Sequence, residues 1–234
     1  AFKPFVYMSA LKDGYTPSTL ILDAPYVVDQ GPGLPKWKPA NYTEEFYGLT
    51  TMRTGIEKSR NLMTVRLADK IGMDKILDTA NKFGIGEGID QKLSMSLGSG
   101  LVSLIQITNA YGIIANGGIK TNPIIIKSIY SKEGKKIYYS EKKRCLNCKL
   151  NDIDTLNTIP NIEANNEVII DSKIAYQITS MMEGVVKRGT AKSLRELKVP
   201  IAGKTGTTND NKDAWFIGYS PDLVIGVYVG YDKP

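Results

Sequence analysis

The sequence predicts an α+β domain in which an antiparallel sheet is flanked by helices. Five segments between residues 2 and 116 carry apolar positions at helical spacing, a long helical run follows at 171–187, and three strand-like runs close the chain between 201 and 231. With 234 residues, the chain suffices for one large domain, or one domain with an appended lobe, and not for several of usual size. At 42% hydrophobic and 23% charged residues it is a globular composition, neither disordered nor fibrous.

Each element follows from local chemistry. Phe2 to Lys12 has helical periodicity, and Pro4 is tolerable only in a first turn, so this helix must start at or next to the chain start; Asp13-Gly14 ends it. Residues 19–41, with Pro32, Gly33, Pro35 and Pro39, read as an ordered loop with short extended pieces, to which Tyr26, Trp37 and Tyr42 give packing partners. Three helices are expected at Thr51–Lys58, Leu62–Lys70 and Met73–Phe83, the last stopped by Gly84 and Gly86. Ser103 to Asn116 is expected to be a buried helix, with Ala110, Gly112 and Ala115 allowing close crossing by another helix. Ile124–Ile129 and Ile137–Tyr139 should form a hairpin turning at Gly134. Residues 140–170 are polar and unpatterned, as in a variable or mobile insertion. Asp171 is placed to cap the helix through Lys187. Ile201–Thr205, Ala214–Tyr219 and Leu223–Tyr231 read as strands, the last two as a hairpin around Ser220-Pro221-Asp222.

Composition narrows the chemistry. The chain has no histidine, which excludes Ser-His-Asp and Cys-His catalysis and His-based metal sites within it. A nucleophilic mechanism would need Lys, Glu, Asp or Tyr as its base. Lys plus Arg total 30 against 24 acidic residues, a formal charge of +6. That excess suits an anionic lipid surface, an acidic polymer or simply a soluble surface; no nucleic-acid motif accompanies it, and its one local cluster is Lys142, Lys143 and Arg144. Cys145 and Cys148 form an isolated pair without the context of a zinc knuckle or redox helix, and read as a local disulfide or spare thiols. No run of about 18 apolar residues is present to span a membrane, and no export signal. The chain starts at Ala1 inside a periodic pattern, so an upstream region is expected.

Three short segments could carry chemistry. Lys204-Thr205-Gly206-Thr207 ends a predicted strand; a cation, hydroxyls and a glycine on an edge strand can grip a carboxylate and pair with an extended peptide, although a plain turn explains the triplet alone equally well. It lacks Walker A spacing. Ser59-Arg60-Asn61 lies between helices, where Ser59 either caps the following helix or relays a proton while the Asn61 amide holds a carbonyl or a lysine. Lys3 is either a surface lysine or a buried base of depressed pKa. Ser9, Ser18, Ser96, Ser99 and Ser103 are the other candidate nucleophiles; Ser9 is off the helical spacing from Lys3, and Ser96 and Ser99 read as turn or cap residues.

Together these segments resemble the penicillin-binding proteins, and among them the bifunctional class A type. Ala1-Phe2-Lys3-Pro4-Phe5 is similar to the tail of the Ser-x-x-Lys-Pro-Phe opening, Ser59 and Asn61 to the Ser-x-Asn pair, and Lys204, Thr205, Gly206 and Thr207 to the strand motif. Trp37 to Tyr42 resembles Trp-x-Pro-x-Asn-Tyr, and Thr51 to Asn61 a further signature with Met52 and Gly55 substituted. Asn109–Gly118, Gly189-Thr190-Ala191 and Asp213–Pro221 also look like family signatures. The departure is the motif serine, expected immediately before Ala1 and outside this chain.

The resemblance implies a penicillin-binding/serine β-lactamase-like transpeptidase fold, incomplete at both ends. A transglycosylase domain and membrane anchor would lie upstream, and a final strand and helices beyond Pro234. It implies a D,D-transpeptidase acting on peptidoglycan stem pentapeptides and trapped by β-lactams, without cofactor or metal. Lys3 would be the base, Ser59 and Lys204 the proton relay, Asn61 the holder of the stem-peptide amide, and Thr205 and Thr207 the carboxylate grip beside Gly206, with Thr207 N–H in the oxyanion site. The full protein would sit in the cytoplasmic membrane with this domain on the extracytoplasmic face, among lipid-linked glycan strands and cell-wall synthesis partners. A serine β-lactamase or D,D-carboxypeptidase, and a non-catalytic β-lactam or peptidoglycan-binding module, are the alternatives.

Overall fold

The computed structural model describes residues 1–29, 31–33, 35–140, 144–145, 162–163, 167–207 and 212–231, with only the backbone of 144–145 and 162–163. Helix α1 (Lys3–Lys12) lies at the centre and is buried on every side from Lys3 to Leu11, as a helix apolar all round requires. Pro4 sits in its first turn, where no intrahelical N–H is missed. Around it pack α3 (Asn61–Ile71), α4 (Met73–Lys82) and α6 (Ser172–Lys187). Phe5 of α1 meets Phe83 and Tyr111 edge-on, with ring centroids 5.4 and 5.8 Å away, at the middle of the core.

The short strands β1 (Leu20–Asp23) and β2 (Gly48–Thr51) pair antiparallel, and β2 leads directly into α2 (Met52–Glu57), capped by the Thr51 side chain. Alternation along β1 turns Ile21 and Asp23 inward. A 3₁₀ turn (Leu93–Leu97) precedes α5 (Leu104–Ala115), which opens with a reciprocal capping box between Ser103 and Gln106. Strands β3 (Ser128–Tyr130) and β4 (Lys136–Tyr139) form a hairpin, and β5 (Arg144–Cys145) pairs with β6 (Ile162–Glu163). After α6 and a second 3₁₀ turn (Lys192–Leu197) come β7 (Ala202–Thr207), β8 (Asp213–Tyr219) and β9 (Val224–Gly230), an antiparallel sheet in the order β7-β8-β9. Helix α6 packs on β7, and α5 on β8 and β9.

The element order and most boundaries agree with the sequence, and Asp171 caps α6 by accepting from Lys173 N–H. Three expectations need correction. Helix α5 is only half buried: Ile107, Ala110, Tyr111, Ile113 and Ile114 face inward while Leu104 and Ile105 are exposed. Gly112 lies against Thr121 and against Val224 of the sheet, so this small residue serves helix-on-sheet packing, while α5 also meets α6. The hairpin is shorter than expected, because residues 124–127 form no strand and Ile124, Ile125 and Ile126 are exposed. Ser59 does not cap α3, for a reason given below. The side chains of Lys142, Lys143, Arg144, Cys145 and Cys148, and most of the expected insertion at 140–170, lie outside the described residues. Among the described residues, no helix is long and apolar enough to cross a membrane.

Candidate active site

Three elements converge at one end of the core: the N-terminus of α1, the bend between α2 and α3, and strand β7. They bring Lys3, Ser59, Asn61 and Lys204 into direct contact. Lys3 Nζ donates to Ser59 O at 2.7 Å, to Asn61 Oδ1 at 2.5 Å and to Ser59 Oγ at 3.2 Å. Lys204 Nζ reaches the same Ser59 Oγ at 2.9 Å, and Thr205 O at 2.9 Å. One hydroxyl therefore stands between two amines. Ser59 holds this place with φ of +55°, a left-handed conformation costly for a residue with a Cβ. That conformation takes its hydroxyl away from the helix it was positioned to cap. Arg60 occupies the N-cap position without a side-chain bond, and Asn41 supplies the capping oxygen instead, accepting from the N–H groups of Asn61 and Leu62.

Both lysines are buried, and among the described residues neither pairs with a carboxylate. Burial penalises their charged forms, and holds Lys204 at a pKa of about 7. Lys3 is pushed well below the ordinary lysine value by burial and then by the charge of Lys204. Its place in the first turn of α1, at the positive end of the helix dipole, acts in the same direction. Near neutral pH the pair thus includes uncharged amine, and the Ser59 hydroxyl can donate to one lysine while accepting from the other.

Strand β7 forms the open side. It pairs with β8 in the register Lys204↔Ile217, Thr205↔Phe216, Gly206↔Trp215 and Thr207↔Ala214, and its other edge has no strand partner among the described residues. Thr205 is partly exposed and shares a 2.6 Å hydroxyl contact with Thr190; Thr207 is exposed. A Cβ at Gly206 would lie 2.5 Å from Ala1 N, so only glycine lets β7 approach the start of α1. Tyr111 Oη donates to Ala1 O at 2.7 Å and fixes that start from the other side. Ser96 is buried and bonds Leu93 O as a turn residue, while Gly98 abuts Phe2. Ser9 bonds Phe5 O within α1.

Several supporting residues were not singled out from the sequence. Glu57, buried at the end of α2, accepts from Arg188 in a two-point ion pair, and its carbonyl accepts from Thr190 N–H at 3.2 Å. This ties the Ser59 bend to the loop that carries Thr190. Arg60 does not face solvent freely; its guanidinium lies 3.3 Å over the Tyr47 ring. Asp23 lies in a stretch that reads as loop in the sequence; the structure puts it on the inward face of β1, where it accepts from Asn41. Among the described residues no group of three or more His, Cys, Asp or Glu side chains is placed to hold a metal.

A family model for the penicillin binding protein transpeptidase domain matches residues 1–234. Penicillin-binding protein 1A of Rickettsia bellii is 49% identical over 233 residues, covering 99% of this chain and 30% of the relative. That of Pseudomonas aeruginosa is 36% identical over 266 residues, covering 100% of this chain and 32% of the relative. Among solved structures, penicillin-binding protein 1A of Haemophilus influenzae superposes with a TM-score of 0.84 at 29% identity, covering 99% of this chain and 37% of that one. PonA1 of Mycobacterium tuberculosis gives 0.76 at 25% identity, covering 99% of this chain and 59% of that one. The chain belongs to the penicillin-binding protein transpeptidase family, and its fold is the α+β transpeptidase/β-lactamase-like fold of those neighbours.

Proposed function

We propose that the chain forms the core of a peptidoglycan D,D-transpeptidase that cross-links stem peptides through a serine acyl-enzyme. The observation that carries this reading is the meeting of Lys3, Ser59, Asn61 and Lys204 on one cluster, beside Ala1 and the open edge of β7. A serine bonded to Ala1 N would stand within one residue's reach of both lysines.

Its hydroxyl adds to the carbonyl of the penultimate D-Ala and gives its proton to neutral Lys3. The oxyanion is held by N–H groups of that serine and of Thr207. The tetrahedral intermediate then collapses, the bond to terminal D-Ala breaks, and the departing amine takes a proton passed from Lys204 through Ser59. Lys204, poised at about 7, can both give and recover that proton near neutral pH. The amine of a second stem peptide attacks the ester and loses its proton to the same relay, and the ester bond breaks as Lys3 returns its proton to the departing serine oxygen. Thr205 and Thr207 grip the substrate carboxylate, Asn61 holds the stem-peptide amide, and the peptide backbone lies along β7. PonA1 of M. tuberculosis has been solved in complex with penicillin V, which supports a β-lactam as a trap for this site too.

The longer protein is read as having a transglycosylase domain and membrane anchor upstream. It would be held at the cytoplasmic membrane, with this domain on the extracytoplasmic face among lipid-linked glycan strands and cell-wall synthesis partners. The test is product analysis: full-length protein is given a D-Ala-D-Ala stem pentapeptide and an amine acceptor. Release of D-Ala with a new amide to the acceptor is expected. A hydrolysed tetrapeptide alone would point to a carboxypeptidase, and no turnover to a binding module.

A further inference from the structure

The motif stretch from Trp37 to Tyr42 has no task in the steps above, yet Ala40 and Asn41 hold Asn61 at two points. Asn41 Oδ1 accepts from the backbone N–H of Asn61 at 2.9 Å and of Leu62 at 3.2 Å. Ala40 O accepts from Asn61 Nδ2 at 2.8 Å. A carbonyl can only accept, so this contact decides which end of the Asn61 amide points where: nitrogen toward Ala40, oxygen toward Lys3 Nζ. The same logic orients Asn41. Its Nδ2 donates to Asp23 Oδ1 at 2.8 Å and to Glu45 O at 2.9 Å, two groups that only accept, which leaves Oδ1 for the helix.

Asp23 is a costly way to do this. It is fully buried, Oδ2 has no hydrogen-bond partner among the described residues, and Arg60 Nε stands 3.9 Å away. A neutral amide at position 23 could turn its own NH2 toward Asn41 and would leave the selection of this orientation to Glu45 O and the helix N–H groups. A carboxylate can only accept and so adds to that selection.

We propose that Asp23 and Asn41 are positioning residues, which lock the Asn61 amide with its oxygen on Lys3 and so set the placement and protonation of that lysine. The proposal rests on the reading of Lys3 as general base. The charged group facing Lys3 among the described residues is Lys204 from β7, which together with burial disfavours its charged form. Asn61 Oδ1 acts against them, because an acceptor stabilises the ammonium. Releasing the Asn61 amide therefore lowers the pKa of Lys3 further and misplaces its nitrogen.

The experiment compares full-length native protein with Asp23→Asn and Asn41→Ala. The rate of acylation by a fluorescent penicillin is followed against pH, and the Lys3 ammonium is titrated by NMR in protein carrying nitrogen-15 lysine. Both variants should acylate about tenfold or more slowly at the plateau. The acid limb and the Lys3 titration should both move down by roughly half to one pH unit. In an Asn61→Ala background, Asn41→Ala should add almost nothing. An unmoved acid limb and titration, or an equal cost of Asn41→Ala with and without Asn61, would overturn the proposal. Asn41→Ser keeps a capping oxygen and is read in its place should Asn41→Ala not fold. If native protein takes up no penicillin, the transpeptidase reading fails, and the Lys3 titration alone decides whether Asp23 and Asn41 position it.

Discussion

Replacing Lys204 by methionine should stabilise the fold while destroying the site. The lysine is fully buried, and burial lowers its pKa from 10.5 to about 7. In the unfolded chain it titrates near 10.5, so at pH 7 folding requires it to lose about half a proton or to hold a charge out of water. A shift of about 3.5 units at ~1.4 kcal/mol per unit sets a ceiling near 5 kcal/mol on the cost of keeping it. Methionine fills similar volume without that cost, but forfeits the bonds to Ser59 Oγ and Thr205 O, each worth about 1 kcal/mol. The net expectation is a gain of about 1–3 kcal/mol at pH 7. The pH dependence follows from the direction of the shift. Between about pH 7 and 10.5 the unfolded state binds the extra proton, so native stability rises with pH there and the advantage of Lys204→Met shrinks. Urea unfolding at pH 6, 7, 8 and 9, read as the difference between the two proteins, measures this. A variant less stable than native at pH 7, or a difference that does not change with pH, would refute the reasoning.

Gly206→Val drives a side chain into Ala1 N and should slow penicillin acylation about a hundredfold or more by parting β7 from α1; acylation kinetics on folded variant check it. Arg188→Ala strips the buried Glu57 carboxylate of its ion-pair partner, leaving Arg53 at 4.0 Å, and should cost about 1–3 kcal/mol in urea unfolding. Phe5→Ala empties the centre of the aromatic cluster with Phe83 and Tyr111 and should cost about 3–5 kcal/mol, seen as a large drop in thermal midpoint.

Much of the architecture was legible because it is written in local signals. Pro4 marks a helix start through its ring, Thr51, Ser103 and Asp171 through side-chain oxygens that accept from first-turn N–H groups, and Ser220-Pro221-Asp222 marks the turn between β8 and β9. The site segments were legible as motifs, and the structure brings Lys3, Ser59, Asn61 and Lys204 together. What was illegible depends on contacts far apart in sequence. Ser59 looked like a cap because serine before a helix usually is one. Only the fold shows that Asn41, 20 residues earlier, takes that task and frees the hydroxyl. Asp23 and Arg188 likewise gain meaning only from partners that no local pattern names. The apolar run with small residues in α5 suits a sheet surface and a neighbouring helix alike, and the fold sets it against both with its outer face exposed.

The central claim is that a serine bonded to Ala1 is acylated with Lys3 as its base. Peptide-resolved mass spectrometry of the full-length protein before and after penicillin tests it most directly. A penicilloyl adduct on a serine immediately preceding Ala1, lost in Lys3→Met, is the predicted result. A different residue at that position, a serine that never labels, or labelling that survives Lys3→Met would contradict the account.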